Sequence, residues 1–84
     1  MNNQHRKTLP ALFVEPVNGN LQWMRIEALL ITAECTIVEG KGSAVTFAKE
    51  GRRLNIHRPH PGKEALKYRV VLVREFLQQL GVTP

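Results

Sequence analysis

The stretch from Gly40 to Gly62 constrains the fold of this chain more than any other part of it. Apolar residues recur there at every second position in two short runs, at Val45, Phe47, Leu54 and Ile56. This period is typical of a β-strand with one buried face. Between the runs lies Glu50-Gly51, and a glycine at this place favours a two-residue hairpin turn. The sequence therefore predicts two antiparallel strands that share one apolar face and one polar face.

The register of this hairpin follows from its turn. If Glu50 and Gly51 are the two turn residues, Phe47 faces Leu54, and Ala44 faces His57 on the polar side of the sheet. A slip of one residue would instead turn His57 towards the core. The predicted exposure of this histidine therefore depends on the turn.

The N-terminal part of the chain predicts a short first helix. Met1–Lys7 is polar and is expected to be loose, and Thr8 is placed to cap the helix that follows. Pro10 is tolerated in the first turn of a helix, and Pro16 is expected to close it.

The rest of the chain predicts two more helices and one more strand. Asn20 is placed to cap a helix over Leu21–Ala33, in which Trp23 is expected to pack in the core rather than to stack on a nucleic acid. The β-branched stretch Cys35–Glu39 predicts a strand before the hairpin. A last helix, ended by Gly81, carries an apolar stripe at Val70, Val73, Phe76, Leu77 and Leu80. Polar residues are expected on its other side, at Arg69, Arg74, Glu75, Gln78 and Gln79.

These elements predict one α+β domain over residues 1–84. Three antiparallel strands form a single sheet, and the striped helices cover its apolar face while the polar face stays open.

The charge is concentrated in one part of the chain. The formal net charge is +5 and the isoelectric point is about 10.0. Between Arg52 and Arg74 the sequence has a single acid, Glu64, among the basic residues Arg52, Arg53, Arg58, Lys63, Lys67, Arg69 and Arg74. Such a segment favours a polyanionic or acidic partner, although a solvated surface has the same composition.

Several classes of protein are disfavoured. Cys35 is the single cysteine, so no intrachain disulfide can form, and it is expected to lie in the core. The chain has no apolar run of membrane-spanning length, and its first residues do not resemble a signal peptide. We therefore expect a soluble, cytoplasmic protein.

The histidines are the candidates for chemistry. His57 and His60 are three positions apart, as some zinc ligands are. The sequence places no cysteine, third histidine or pair of carboxylates near them to complete a zinc site, so we predict neither a metal nor a cofactor. An imidazole among fixed cations suits proton transfer at a phosphodiester. The alternative is that both histidines bond neighbouring backbone at the end of a strand.

Three spaced motifs resemble the HicA-type toxins of bacterial toxin-antitoxin pairs. They are Gly40-Lys41-Gly42-Ser43, the stretch from Arg52 to Pro61, and the stretch from Val73 to Val82. The resemblance covers Leu21 to the C-terminus, and the opening from His5 to Leu9 resembles the extra helix of a longer-chain branch. Residues 1–19 would then be an N-terminal extension and residues 20–84 the core.

The resemblance implies a fold like that of a double-stranded-RNA-binding domain. It also implies metal-independent cleavage of mRNA, arrest of translation and growth, and neutralisation by a HicB-type antitoxin. A non-catalytic module that binds RNA or the antitoxin is the alternative, and a purely structural interaction domain is a third possibility.

One position departs from the family pattern. The usual catalytic histidine follows the Gly-Ser of the second strand, whereas Gly42-Ser43 is followed here by Ala44. His60 matches a histidine common before the last helix, and His57, across the hairpin from Ala44, is the expected substitute for the missing base. The candidate catalytic residues are therefore His57 and His60, and the candidate RNA-binding residues are Arg52, Arg53, Arg58, Lys63 and Lys67.

Overall fold

The computed structural model describes residues 3–60 and 62–84. Three helices and three strands follow one another as α1 (Asn3–Leu12), α2 (Trp23–Thr32), β1 (Thr36–Glu39), β2 (Ala44–Lys49), β3 (Arg52–His57) and α3 (Leu66–Gln79). The order of elements and the α+β class are those predicted from the sequence. Within the described ranges, every helix is too short or too polar to cross a lipid bilayer.

The strands form one antiparallel sheet in the order β1-β2-β3. Glu50 and Gly51 are the two turn residues, and both have positive φ, at 53° and 77°, as a type I′ hairpin turn requires. Phe47 accordingly pairs with Leu54, and Ala44 pairs with His57. The predicted register is confirmed.

One face of the sheet is buried and the other is open. The four alternating apolar residues of β2 and β3 lie in the hydrophobic core together with α2 and α3. Trp23 is buried as predicted, and its ring centroid lies 6.2 Å from that of Phe47. The opposite face carries Thr46, whose hydroxyl donates a 2.7 Å hydrogen bond to Asn55. This is the arrangement expected of a double-stranded-RNA-binding type of fold, with α1 added.

Helix α1 is longer than predicted. It begins by Asn3, so the expectation of a loose segment is wrong for residues 3–7, and Met1 and Asn2 lie outside the described residues. Thr8 does not cap the helix but lies within it and is buried, at 3% exposure. Its buried side combines Leu9 and Leu12 with polar residues, and the His5 ring bonds the Thr32 hydroxyl of α2 over 2.9 Å. Because polar residues occupy part of this buried side, the apolar residues alone do not show the helical period.

The start of α2 is held differently from the prediction. Gln22 is the N-cap residue and its side chain makes no capping bond, so the assignment of Asn20 as the cap is wrong. The chain before α2 instead pairs with the chain before α3, since the Trp23 amide donates to the Lys63 carbonyl over 2.9 Å. In the same ladder the Leu66 amide donates to the Gly19 carbonyl over 3.0 Å. A Cβ at Gly19 would lie 2.9 Å from Cγ of Lys67 and 3.0 Å from its backbone nitrogen, so a larger residue there would force Lys67 to shift.

Two arginines of α3 do not lie on its polar side as predicted. Gly81, at φ 75°, ends the helix as expected. Arg74, however, donates to the Leu12 carbonyl over 2.8 Å and to the Val14 carbonyl over 2.9 Å, and it pairs with Glu15. Arg69 is buried at 9% exposure. Cys35 is half-buried at the edge of the core, just before β1.

Candidate functional site

His57 is the last residue of β3, and its side chain lies on the open face of the sheet. Ala44 is directly opposite on β2, as the register predicts. Nδ1 of His57 lies 3.2 Å from the hydroxyl oxygen of Ser43, and the histidine is exposed. The imidazole is therefore oriented by a neighbour and its other ring nitrogen, Nε2, is left for an external group.

A buried arginine fixes the backbone of the same residue. Nε of Arg69 donates a 2.6 Å hydrogen bond to the carbonyl of His57, and a terminal nitrogen donates to the carbonyl of Ala65 over 3.4 Å. The sequence contained a signal for this contact, because position 69 lies four before Val73 and so on the apolar stripe of α3. A charged residue on a buried stripe needs polar partners, and carbonyl oxygens are the partners here.

His60 lies in the loop between β3 and α3. It is exposed, and it lines an open groove of about 510 Å³ together with Gly42, Ser43, Arg58 and Pro59. Ser43 thus contacts His57 and shares a groove with His60. The structure brings the two candidate histidines to the same end of the sheet. Pro61, the second proline of the predicted bracket around His60, lies outside the described residues.

Arg58 is placed differently from the expectation. Its Nε donates to Glu27 of α2 over 2.8 Å, and one terminal nitrogen donates to Glu39 of β1 over 2.6 Å. Its side chain therefore lies on the helix side of the sheet rather than on the open face. Neighbouring residues of a strand point to opposite faces, so a histidine on the open face sends the next side chain to the other one. Arg58 joins three elements and its charge is balanced by two carboxylates.

This cluster changes the ionisation of its members. The hydrogen bond from Arg58 holds the pKa of Glu39 below its ordinary value, while both carboxylates raise the pKa of Arg58 further above the physiological range. A carboxyl with a lowered pKa stabilises the folded state above its unfolded pKa, and this contribution is lost as the pH falls through the folded value.

We therefore expect Glu39→Gln to lower stability near neutral pH, and we expect this difference from the parent to shrink as the pH falls towards about 2, through the lowered pKa of Glu39. Urea unfolding of parent and variant across this range measures the difference, with Glu75→Gln, an exposed acid on α3, as the control. A difference that stays constant from pH 7 to pH 2 would contradict the assignment of the ion pair.

The other candidate basic residues are exposed around two surfaces. Arg53 lies on the open face, where it lines a groove with Thr36, Val38, Thr46 and Ala48. Arg52 precedes it near the hairpin tip. Lys63 and Lys67 flank the start of α3. Within residues 3–60 and 62–84, histidines, cysteines and acids do not form a group of three that could hold a metal ion.

These features define a small α+β protein whose open antiparallel sheet carries basic residues and, at one end, two histidines. Residues 23–82 match the model of a family described as the HicA toxin of bacterial toxin-antitoxin pairs. Because the match covers well over half of the sequence, the chain belongs to the HicA toxin family. It is therefore the toxin of a toxin-antitoxin system, and a cognate antitoxin is its partner. Neither a curated protein nor a solved structure matches the chain. Helix α1 lies outside the matched range.

Proposed function

We propose that this toxin is a metal-independent endoribonuclease that cleaves mRNA and thereby arrests translation and growth, and that a HicB-type antitoxin neutralises it. The observation that supports this most is the position of His57. His57 is exposed, lies beside Ser43 and pairs with Ala44 of β2. Ala44 occupies the position at which the family pattern has its usual histidine, so His57 lies directly opposite that position.

The proposed reaction needs no cofactor. Neutral His57 takes the proton of a ribose 2′-hydroxyl at Nε2, and the resulting oxygen attacks the adjacent phosphorus. The bond from phosphorus to the 5′-oxygen breaks, and His60 gives a proton to that leaving oxygen. The products are a 2′,3′-cyclic phosphate and a 5′-hydroxyl.

Ser43 has a defined part in this scheme. For Nε2 to accept a proton, Nδ1 must carry its hydrogen and donate it to the Ser43 oxygen, which lies 3.2 Å away. Ser43 then orients the ring and selects the tautomer that can act as a base.

Lys63 is the better candidate for stabilising the charge on the phosphate. It is exposed beside His60, whereas Arg58 is already bound by Glu27 and Glu39. A cation whose charge is balanced by two carboxylates gains less from a phosphate than a free one does.

The proposal is tested by incubating the purified chain with single-stranded RNA in excess EDTA. We expect cleavage that leaves 2′,3′-cyclic phosphate ends and that stops when the cognate antitoxin is added. RNA binding without cleavage would favour the non-catalytic alternative, for which Ala44 in place of the usual histidine is the supporting observation.

RNA binding through the start of α3 gives a separate prediction. Lys63→Gln combined with Lys67→Gln should weaken RNA binding and reduce the slope of its salt dependence by about 0.7 for each lost phosphate contact. Binding is measured by fluorescence anisotropy at several salt concentrations. The control is Arg6→Gln with Lys7→Gln on α1, which removes the same charge from exposed positions elsewhere. Equal effects of the two pairs would point to net charge alone.

A further inference from the structure

We propose that Tyr68 and Arg69 form a nucleobase-stacking subsite beside the candidate catalytic histidines, with Lys63 binding the phosphate of the same nucleotide. The inference rests on the proposed function, since it takes single-stranded RNA as the ligand. The subsite is an open pocket of about 340 Å³ between the loop after β3 and the start of α3. Its lining includes His60, Lys63, Glu64, Tyr68 and Arg69.

Tyr68 presents an aromatic surface to solvent. It is the one tyrosine of the sequence, and at 57% exposure it is not part of the core. The guanidinium carbon of Arg69 lies over its ring, 4.7 Å from the centroid. A ring that is supported on one face by a cation and is otherwise exposed offers a stacking surface for a base.

Arg69 brings positive charge to the same pocket. It is nine-tenths buried, and its two hydrogen bonds go to carbonyl oxygens of His57 and Ala65. Among the described residues it forms no ion pair, since the salt bridges there involve Arg58 and Arg74. Its charge therefore adds to that of Lys63, against the single carboxylate of Glu64. A phosphate is the ligand that such a pocket favours.

The same arginine links this pocket to His57. The guanidinium of Arg69 contacts the ring of Tyr68 and donates a 2.6 Å hydrogen bond to the His57 carbonyl. One side chain therefore contacts both the pocket and the residue that carries the proposed base. A base stacked on Tyr68 would therefore be held at a fixed position relative to the proposed reacting phosphate. The subsite would select the register in which RNA lies across the histidines.

The backbone around the pocket is preorganised. Leu66 has a φ of 66°, in the left-handed region that bulky residues avoid. Its amide donates to the Gly19 carbonyl, and the Lys63 carbonyl accepts from the Trp23 amide. Both ends of the segment 63–66 are therefore hydrogen-bonded to the chain around the start of α2. A pocket that is already formed loses little entropy when it binds a ligand.

The test compares Tyr68→Ala, Tyr68→Phe and Leu72→Ala, all made in a His57→Ala chain so that RNA is not consumed. Leu72 is an exposed apolar residue of the same helix and serves as the matched control. Affinity is measured with a fluorescein-labelled single-stranded RNA decamer of mixed sequence. We expect Tyr68→Ala to weaken binding by about tenfold or more, and Tyr68→Phe and Leu72→Ala to change it less than about twofold.

Equal affinity of Tyr68→Ala and its background would overturn the proposal. So would a loss of antitoxin affinity in Tyr68→Ala with RNA affinity unchanged, because Tyr68 would then belong to a protein-docking surface. Cleavage by the chain with native His57 is measured separately. If that chain binds RNA without cleaving it, the proposed activity fails, while the Tyr68 comparison still decides the subsite.

Discussion

Replacing His57 with alanine is expected to reduce RNA cleavage by about 10²- to 10⁴-fold, the usual contribution of a general base. The side chain is exposed and lies opposite a small residue, Ala44, so its removal leaves no cavity in the core. The loss should therefore appear in the rate constant of cleavage at unchanged thermal stability. Growth arrest on expression should be lost in parallel.

The pattern across neighbouring variants makes this test specific. Asn55→Ala removes another exposed side chain from the same strand and the same face, and it should retain most of the activity. Ser43→Ala should give an intermediate loss, because the ring would still be present without its orienting partner. His60→Ala should also lower the rate, because the leaving oxygen would lose its proposed proton donor. If His57→Ala is as active and as toxic as the parent at equal folded concentration, His57 is not the base.

Leu12→Ala is expected to destabilise the protein by about 2–5 kcal/mol, the cost of emptying a fully buried leucine site. Leu12 is at 0% exposure although it belongs to α1, which lies outside the range matched by the family model. Small domains are stable by about 5–15 kcal/mol in total, so the loss would take a large part of the folding free energy. Helix α1 would thereby be shown to belong to the core.

Val14→Ala is the matched control, since Val14 is close in sequence but is 44% exposed. It should change the free energy of unfolding by no more than about 0.5 kcal/mol. Urea unfolding followed by Trp23 fluorescence measures both variants. Equal and small effects of Leu12→Ala and Val14→Ala would mean that α1 contributes little to folding stability.

The hairpin shows what local sequence determined. Two alternating runs with Glu50-Gly51 between them specified the turn, the register and the side of the sheet on which His57 lies. These features are local, because the two-residue turn sets which residue of β2 lies opposite each residue of β3. The three motifs that resemble HicA toxins likewise pointed to the family that the matched range supports.

The surroundings of the site were decided by the tertiary structure. In the sequence, Arg58 is one of several basic residues near the hairpin. Its ion-pair partners, Glu27 and Glu39, lie 31 and 19 positions away, so the sequence around Arg58 does not indicate them. The position of Arg69 on the apolar stripe of α3 indicates burial, but only the packing of α3 against β3 supplies the His57 carbonyl as its partner. Helix α1 follows the same rule, since His5 becomes buried through Thr32, 27 positions away. A polar side chain can be buried wherever the fold supplies its partners, and partners so distant in sequence leave no local pattern.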